Sequence, residues 1–119
     1  RLLNVTTQDV ERDRYSAARQ LHERFGGVVV LKGAGTLIYD GIRMYVCLAG
    51  NPGMASGGMG DVLSGVIGAL LVKGIPISIA ARLGVMIHSH AADINVGHYG
   101  ERGLLASDVV ETLRVAINP

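Results

Sequence analysis

The chain has 119 residues, room for one domain, and carries 11 Lys and Arg against 10 Asp and Glu for a net charge of +1. That balance, with the basic residues scattered along the chain, removes any electrostatic case for nucleic acid as a partner. The single cysteine, Cys47, excludes a disulfide framework within the chain and makes a reducing cytoplasm the simplest home.

Hydrophobic residues make up 49% of the chain before its 17 glycines are counted. Ordinary domains reach roughly 45–50% with glycine included. The surplus is expected to be surface that is buried against further chain or another subunit. No apolar run is long enough to span a membrane, since the stretch from Ile75 to Ile87 is interrupted by Pro76, Ser78 and Arg82, and the opening residues do not read as a signal peptide. No membrane partner is expected.

Thr6 or Thr7 predicts the cap of a helix running to about Phe25, with Asp9 and Glu11 in its first turn and Val10, Ala17, Ala18 and Leu21 on its apolar side. Its charged residues read as a solvated face. Gly26-Gly27 ends it. Val28-Val29-Val30-Leu31 is a continuous apolar run typical of a central strand covered on both faces. Lys32-Gly33-Ala34-Gly35-Thr36 predicts a tight connection, Leu37–Tyr39 a strand, Asp40-Gly41 a hairpin turn, and Met44–Leu48 the partner strand. Cys47 falls in that strand and is read as a packing residue.

A glycine-rich loop follows, Asn51-Pro52-Gly53-Met54-Ala55-Ser56-Gly57-Gly58-Met59-Gly60-Asp61. It runs straight into a helical pattern from Gly60 to about Lys73, apolar at Val62, Leu63, Val66, Ile67, Leu70 and Leu71. Asp61, Ser64, Gly65 and Gly68 share its small-residue side, which would let the helix lie close to a sheet or a ligand. After Gly74 and Pro76 a second helix is predicted from about Ile77 to Asn95, then a loop from Gly97 to Gly103 containing His98, and a last helix capped by Ser107 with Asp108 in its first turn. The order of elements predicts an α/β layered fold.

The chemistry concentrates in the glycine-rich loop. Its glycines permit positive φ and close backbone approach to a ligand, and the free N–H groups at the following helix start favour an anion. Gly57, Gly58, Met59 and Gly60 are thus a candidate anion hole. A carboxylate at Asp61 beside an anion is electrostatically costly, which makes sense for a base that takes a proton from an attacking hydroxyl. This is the layout of a phosphoryl-transfer site.

Other motifs are weaker. Gly33-Ala34-Gly35 begins like a dinucleotide fingerprint but lacks the third glycine and leads into a strand. Lys32 either reaches a phosphate or is a strand-end lysine snorkelling to water. His88 and His90 stand two apart on a helix and point to different faces, against a shared zinc site. His22 lies on a polar face, and no metal cage of protein ligands is evident.

The string from Val29 to Thr36, followed by Asn51-Pro52-Gly53-Met54-Ala55-Ser56-Gly57-Gly58-Met59-Gly60-Asp61-Val62-Leu63-Ser64-Gly65, closely resembles the ADP-dependent NAD(P)H-hydrate dehydratase family, the C-terminal domain of bifunctional nicotinamide-repair proteins. Glu101-Arg102-Gly103-Leu104-Leu105-Ala106-Ser107-Asp108 is similar to it as well, and the resemblance covers essentially the whole chain. It implies a ribokinase-like three-layer α/β/α fold and restoration of NADH or NADPH from the hydrated S-epimer, with ADP spent to AMP and phosphate. It implies nucleotide contacts at Lys32, Gly33, Ala34, Gly35, Thr36 and Gly60, contact of Asp61 with the hydrated nicotinamide, Mg2+ bridging the nucleotide phosphates, and a homo-oligomer of four or more subunits. Family members carry a longer N-terminal half, with a His-Pro-Gly-Glu segment just before the position of Arg1. Residues 1–119 are therefore expected to be the C-terminal part of a single dehydratase domain that needs its N-terminal half, or a second chain, to cover its sheet.

Two other readings stand beside this one. A small-molecule kinase of the same fold would leave a stable phosphorylated product; kinases for thiamin precursors typically place Cys where Asp61 stands, and sugar and pyridoxal kinases lack the Asn-Pro-Gly-Met-Ala string. A nucleotide-binding module without activity would bind and not turn over.

Overall fold

The computed structural model describes residues 2–118. They form two compact units, a first up to Cys47 and a second from Leu48 onward.

The first unit opens with two helices where one is predicted. α1 spans Thr7–Arg12 and α2 spans Arg14–Phe25. Thr6 caps α1 in a reciprocal box, its hydroxyl accepting from the Asp9 N–H at 3.1 Å while the Asp9 carboxylate accepts from the Thr6 N–H at 3.2 Å. Asp13 breaks the run, because its carboxylate accepts from the Ser16 N–H at 3.0 Å and so starts a second helix. Ala17 and Ala18 are the buried residues of α2, small enough to let it lie close against β1 and β2. Gly26, at φ 69°, closes α2, its N–H donating to the His22 carbonyl at 2.7 Å.

Three strands follow, β1 (Val29–Leu31), β2 (Thr36–Tyr39) and β3 (Met44–Cys47), antiparallel in the order β1-β2-β3. Val30 faces Ile38 across β1 and β2, and Leu37 faces Val46 across β2 and β3. The central strand is β2, whose adjacent residues Leu37 and Ile38 are both buried although they point to opposite faces. Among the described residues β1 pairs with β2 alone and is half-buried throughout. The β2–β3 connection is four residues long. The Asp40 carboxylate accepts from the N–H groups of Ile42 and Arg43 at 2.8 and 2.7 Å, and Gly41 turns the chain at φ 94°. Cys47 is buried, as its strand position predicts.

The second unit is helical. A 3-10 turn at Pro52–Met54 leads through the glycine-rich loop into α3 (Met59–Val72), α4 (Ile77–Tyr99) and α5 (Ala106–Ala116). Its core joins Met59 of α3, Ala91 and Ala92 of α4, Leu104 and Val109, with Met54, Val62 and Leu113 against it. Burying each of Met59, Leu104 and Val109 contributes about 1.5–3 kcal/mol. α4 continues past Asn95 and takes in Gly97 and His98, which were expected in a loop, and stops at Gly100 with φ 88°. α5 is not capped by Ser107. Its N-cap position is Leu105, whose N–H donates to the Asp108 carboxylate at 2.8 Å. The small-residue side of α3 is open among the described residues. A Cβ at Gly65 or Gly68 would meet no atom within 4 Å, whereas one at Gly84 of α4 would lie 2.6 Å from Ile67 Cγ1, so the close approach of α3 and α4 depends on Gly84.

Candidate functional site: a glycine-rich loop and a lysine-led turn

The residues singled out from sequence fall in both units. Lys32, Gly33, Ala34, Gly35 and Thr36 lie in the first, Gly57, Gly58, Met59, Gly60 and Asp61 in the second.

In the first unit, Lys32 directly follows β1 and is exposed, as are Gly33 and Ala34. Thr36 belongs to β2 rather than to the connection, opposite Cys47. Its hydroxyl stitches the turn, donating to the Gly33 carbonyl at 3.1 Å and accepting from the Gly33 N–H at 3.3 Å. A second clamp comes from α2. The Arg14 guanidinium donates from Nη1 to the carbonyls of Ala34 at 2.6 Å and Gly35 at 3.1 Å, and from Nη2 to the carbonyl of Leu31 at 3.1 Å. A Cβ at Gly33 would stand 2.9 Å from Arg14 Nη2, so the glycine makes room for the guanidinium. Three backbone carbonyls of one turn are thereby gathered on one cation. Arg14 is not part of a merely solvated face, and no local pattern announces it, since its partners lie 17 to 21 residues away.

In the second unit, the glycine-rich loop is held at both ends. The Gly50 N–H donates to Asp93 Oδ2 at 2.9 Å, Asn51 Nδ2 donates to Asp93 Oδ1 at 2.8 Å, and the Gly53 N–H donates to Asn51 Oδ1 at 3.0 Å. Further on, Ser56 Oγ donates to the Leu104 carbonyl at 3.0 Å. Gly53 is boxed in, since a Cβ there would stand 2.8 Å from the Glu101 carbonyl oxygen. The loop then opens. Gly57 and Gly58 are exposed, and a Cβ at Gly57 would meet nothing within 4 Å. Gly58 stands at the N-cap of α3 with φ 85°, and no side chain caps that helix. Its first-turn N–H groups are therefore available to an anion, with the helix dipole behind them. Met59 is buried and anchors the helix start in the core. Asp61 lies in the first turn and is exposed. Ser64 Oγ donates back to the Gly60 carbonyl at 2.9 Å.

The histidines form no cluster. His88 is buried and His90 exposed, on different faces of α4 as their spacing requires. His22 Nδ1 lies 2.7 Å from the Gly27 carbonyl, and its ring meets Tyr39 edge-on at 5.3 Å. Among the described residues no group of three His, Cys, Asp or Glu side chains could hold a metal ion.

The fold places the chain in the ribokinase-like α/β class. A dehydratase from Bacillus subtilis that is described as ADP/ATP-dependent, co-crystallised with ATP and Mg2+ and soaked with coenzyme A, superposes with a TM-score of 0.88 at 25% identity, covering 95% of this chain and 42% of that one. The family model described as NAD(P)H-hydrate dehydratase matches residues 1–114. The chain belongs to the NAD(P)H-hydrate dehydratase family. It is 61% identical over 118 residues to the bifunctional NAD(P)H-hydrate repair enzyme Nnr of Vibrio cholerae, covering 99% of this chain and 24% of that relative. It is 42% identical over 116 residues to the ADP-dependent (S)-NAD(P)H-hydrate dehydratase of Neisseria meningitidis, covering 96% of this chain and 39% of that relative. The chain thus spans about a quarter of the bifunctional relative and about two-fifths of the dehydratases.

Proposed function

We propose that this chain is the C-terminal part of a domain that dehydrates the S-epimer of hydrated NADH or NADPH at the expense of ADP, giving the reduced cofactor, AMP and phosphate. The observation that carries the reading is the uncapped N-terminus of α3, with exposed Gly57 and Gly58 before it and Asp61 in its first turn. Family membership and the names of the relatives support it.

Asp61 takes the proton of the ring hydroxyl as the hydroxyl oxygen attacks the terminal phosphoryl group of ADP, and AMP leaves. Backbone N–H groups of Gly57, Gly58, Met59 and Gly60 hold the negative charge that develops on the transferred group. Phosphate is a far better leaving group than hydroxide. Its loss, pushed by the ring nitrogen and accompanied by loss of a ring proton, restores the dihydronicotinamide. Lys32, Gly33, Ala34, Gly35, Thr36 and Gly60 contact the nucleotide. The glycine-rich loop fits a phosphate-bearing ligand, because exposed Gly57 offers backbone with no atom near its Cβ position. Mg2+, bound with the nucleotide, would neutralise phosphate charge.

The proposal includes a homo-oligomer; the exposed apolar residues Ile79, Leu83 and Met86, which follow one face of α4, fit burial against either a second subunit or further chain. It also includes a cytoplasmic setting; no described helix is long and apolar enough to cross a membrane.

The test is product analysis with the intact protein, hydrated NADH, ADP and magnesium. Equal amounts of AMP, inorganic phosphate and NADH are expected. A stable phosphorylated product without free phosphate would replace this reading with that of a kinase.

A further inference from the structure

Asp93 stands 42 residues from Asn51 in sequence, yet its carboxylate fixes the start of the glycine-rich loop. Both of its oxygens are engaged, one by the Gly50 N–H and one by the Asn51 amide. The Asn51 amide is thereby locked in one orientation, Nδ2 toward Asp93, which leaves Oδ1 to accept from the Gly53 N–H and to cap the 3-10 turn at Pro52–Met54. The network is a relay of three hydrogen bonds from α4 to the loop. Asp93 is part-buried in the C-terminal half of α4, between Ala92, which is in the core with Met59, and Asn95, which donates to Thr112 of α5. It is therefore fixed to the same core that anchors Met59 at the start of α3.

We propose that Asp93 is the positioning residue of the glycine-rich loop: through Asn51 it sets the path of residues 50–53, and so the placement of the Gly57–Gly60 amides against the transferred phosphoryl group. This rests on the functional reading above for the role of those amides; the positioning itself rests on the three hydrogen bonds. Asp93 touches neither substrate nor nucleotide in this account and acts only through the loop. A carboxylate suits the site because the Gly50 N–H and the Asn51 amide are both donors, each aimed at its own oxygen, where a side-chain amide would present one acceptor and one donor.

The chemistry of the pair gives a test that a merely stabilising residue would not pass. In Asp93→Asn one acceptor becomes an NH2 group facing another donor, so the relay breaks. Adding Asn51→Asp reverses the donor and acceptor. The new amide at 93 accepts from the Gly50 N–H and donates to the new carboxylate at 51, whose other oxygen still accepts from the Gly53 N–H.

The measurements are amide hydrogen exchange at Gly50 and Gly53 and steady-state kinetics with ADP, on the intact protein, its Asp93→Asn variant and the reciprocal double variant. Asp93→Asn is expected to speed exchange at both glycines and to lower kcat/KM for ADP about 10- to 100-fold, the scale of a misplacement near one ångström. The double variant is expected to restore slow exchange at both glycines and to regain most of the lost kcat/KM. The charge moved one step toward the phosphates keeps the recovery incomplete. A double variant no better than Asp93→Asn in exchange overturns the proposal, as does unchanged exchange in Asp93→Asn. Absence of any ADP-dependent turnover in the unmodified protein overturns the functional reading instead, and the exchange pattern then still decides whether Asp93 positions the loop.

Discussion

Arg14 Nη1 donates to the Ala34 carbonyl at 2.6 Å, so the second helix of the first unit holds the turn that follows its first strand. The same guanidinium reaches Leu31 and Gly35, which only a planar fork with several donors does at once. Lysine carries the charge but not the fork. Arg14→Lys is therefore expected to keep at most one of the three bonds and to destabilise the protein by about 1.5–3 kcal/mol, the scale of hydrogen bonds to a charged group. Thermal unfolding of the two proteins checks it, and an unchanged midpoint counts against the clamp. On the functional reading, ADP binding weakens in parallel.

Gly57 and Gly58 are neighbours with opposite expectations. Gly58 sits at φ 85°, and its Cβ position is 3.2 Å from Ala106 Cβ. Gly58→Ala is expected to cost about 1–2 kcal/mol of stability from the left-handed conformation alone. Gly57 has open space around its Cβ position and no positive φ. Gly57→Ala is expected to leave the unfolding midpoint within the range of an ordinary surface change, about 0.5 kcal/mol, while a methyl group projects where the phosphate is proposed to bind. Comparing unfolding with nucleotide affinity for both variants separates backbone strain from ligand exclusion.

Gly84 sets how closely α3 and α4 approach. Gly84→Ala places a methyl group 2.6 Å from Ile67 Cγ1, and overpacking of this kind costs about 1–3 kcal/mol. Adding Ile67→Ala removes the obstructing atom, so the two changes are expected to be non-additive, with Gly84→Ala costing less in that background. A double-mutant cycle on denaturant unfolding measures the coupling; strict additivity would contradict the contact.

Much of this architecture is legible in the sequence, for local reasons. The helical spacing from Val62 to Leu71 announces α3, and Gly57-Gly58 before it announces an open, uncapped helix start. The β2–β3 hairpin is signalled by Asp40-Gly41 between apolar runs. What the sequence hides depends on which of several capping residues acts. Asp13 lies in a charged run that reads as helix interior, yet its side chain starts α2. Ser107 is a good cap by type, yet Asp108 reaches back to Leu105 and moves the helix start. Gly97 looks like a stop, but the chain continues to Gly100, where φ is positive. Within the candidate site, the glycines and Asp61 stand out because their spacing is local. Arg14 and Asp93 do not, because their partners are 17 to 21 and 42 to 43 residues away, and pairing at that range leaves no mark on local pattern.

Asp61 is the residue on which the proposed chemistry turns. It is exposed in the first turn of α3, so its structural contribution is limited to its interaction with the helix dipole, typically about 0.3–1 kcal/mol. Asp61→Asn removes the base and keeps the shape. A rate loss of about 10²–10⁴-fold with little change in unfolding is expected, the range for a positioned general base.

The most direct measurement is the return of reduced-nicotinamide absorbance when the intact protein is mixed with hydrated NADH, ADP and magnesium. The account predicts recovery that requires ADP and disappears in Asp61→Asn while that variant still folds and binds ADP. Absence of recovery from the intact protein, or recovery that survives in Asp61→Asn, would contradict it.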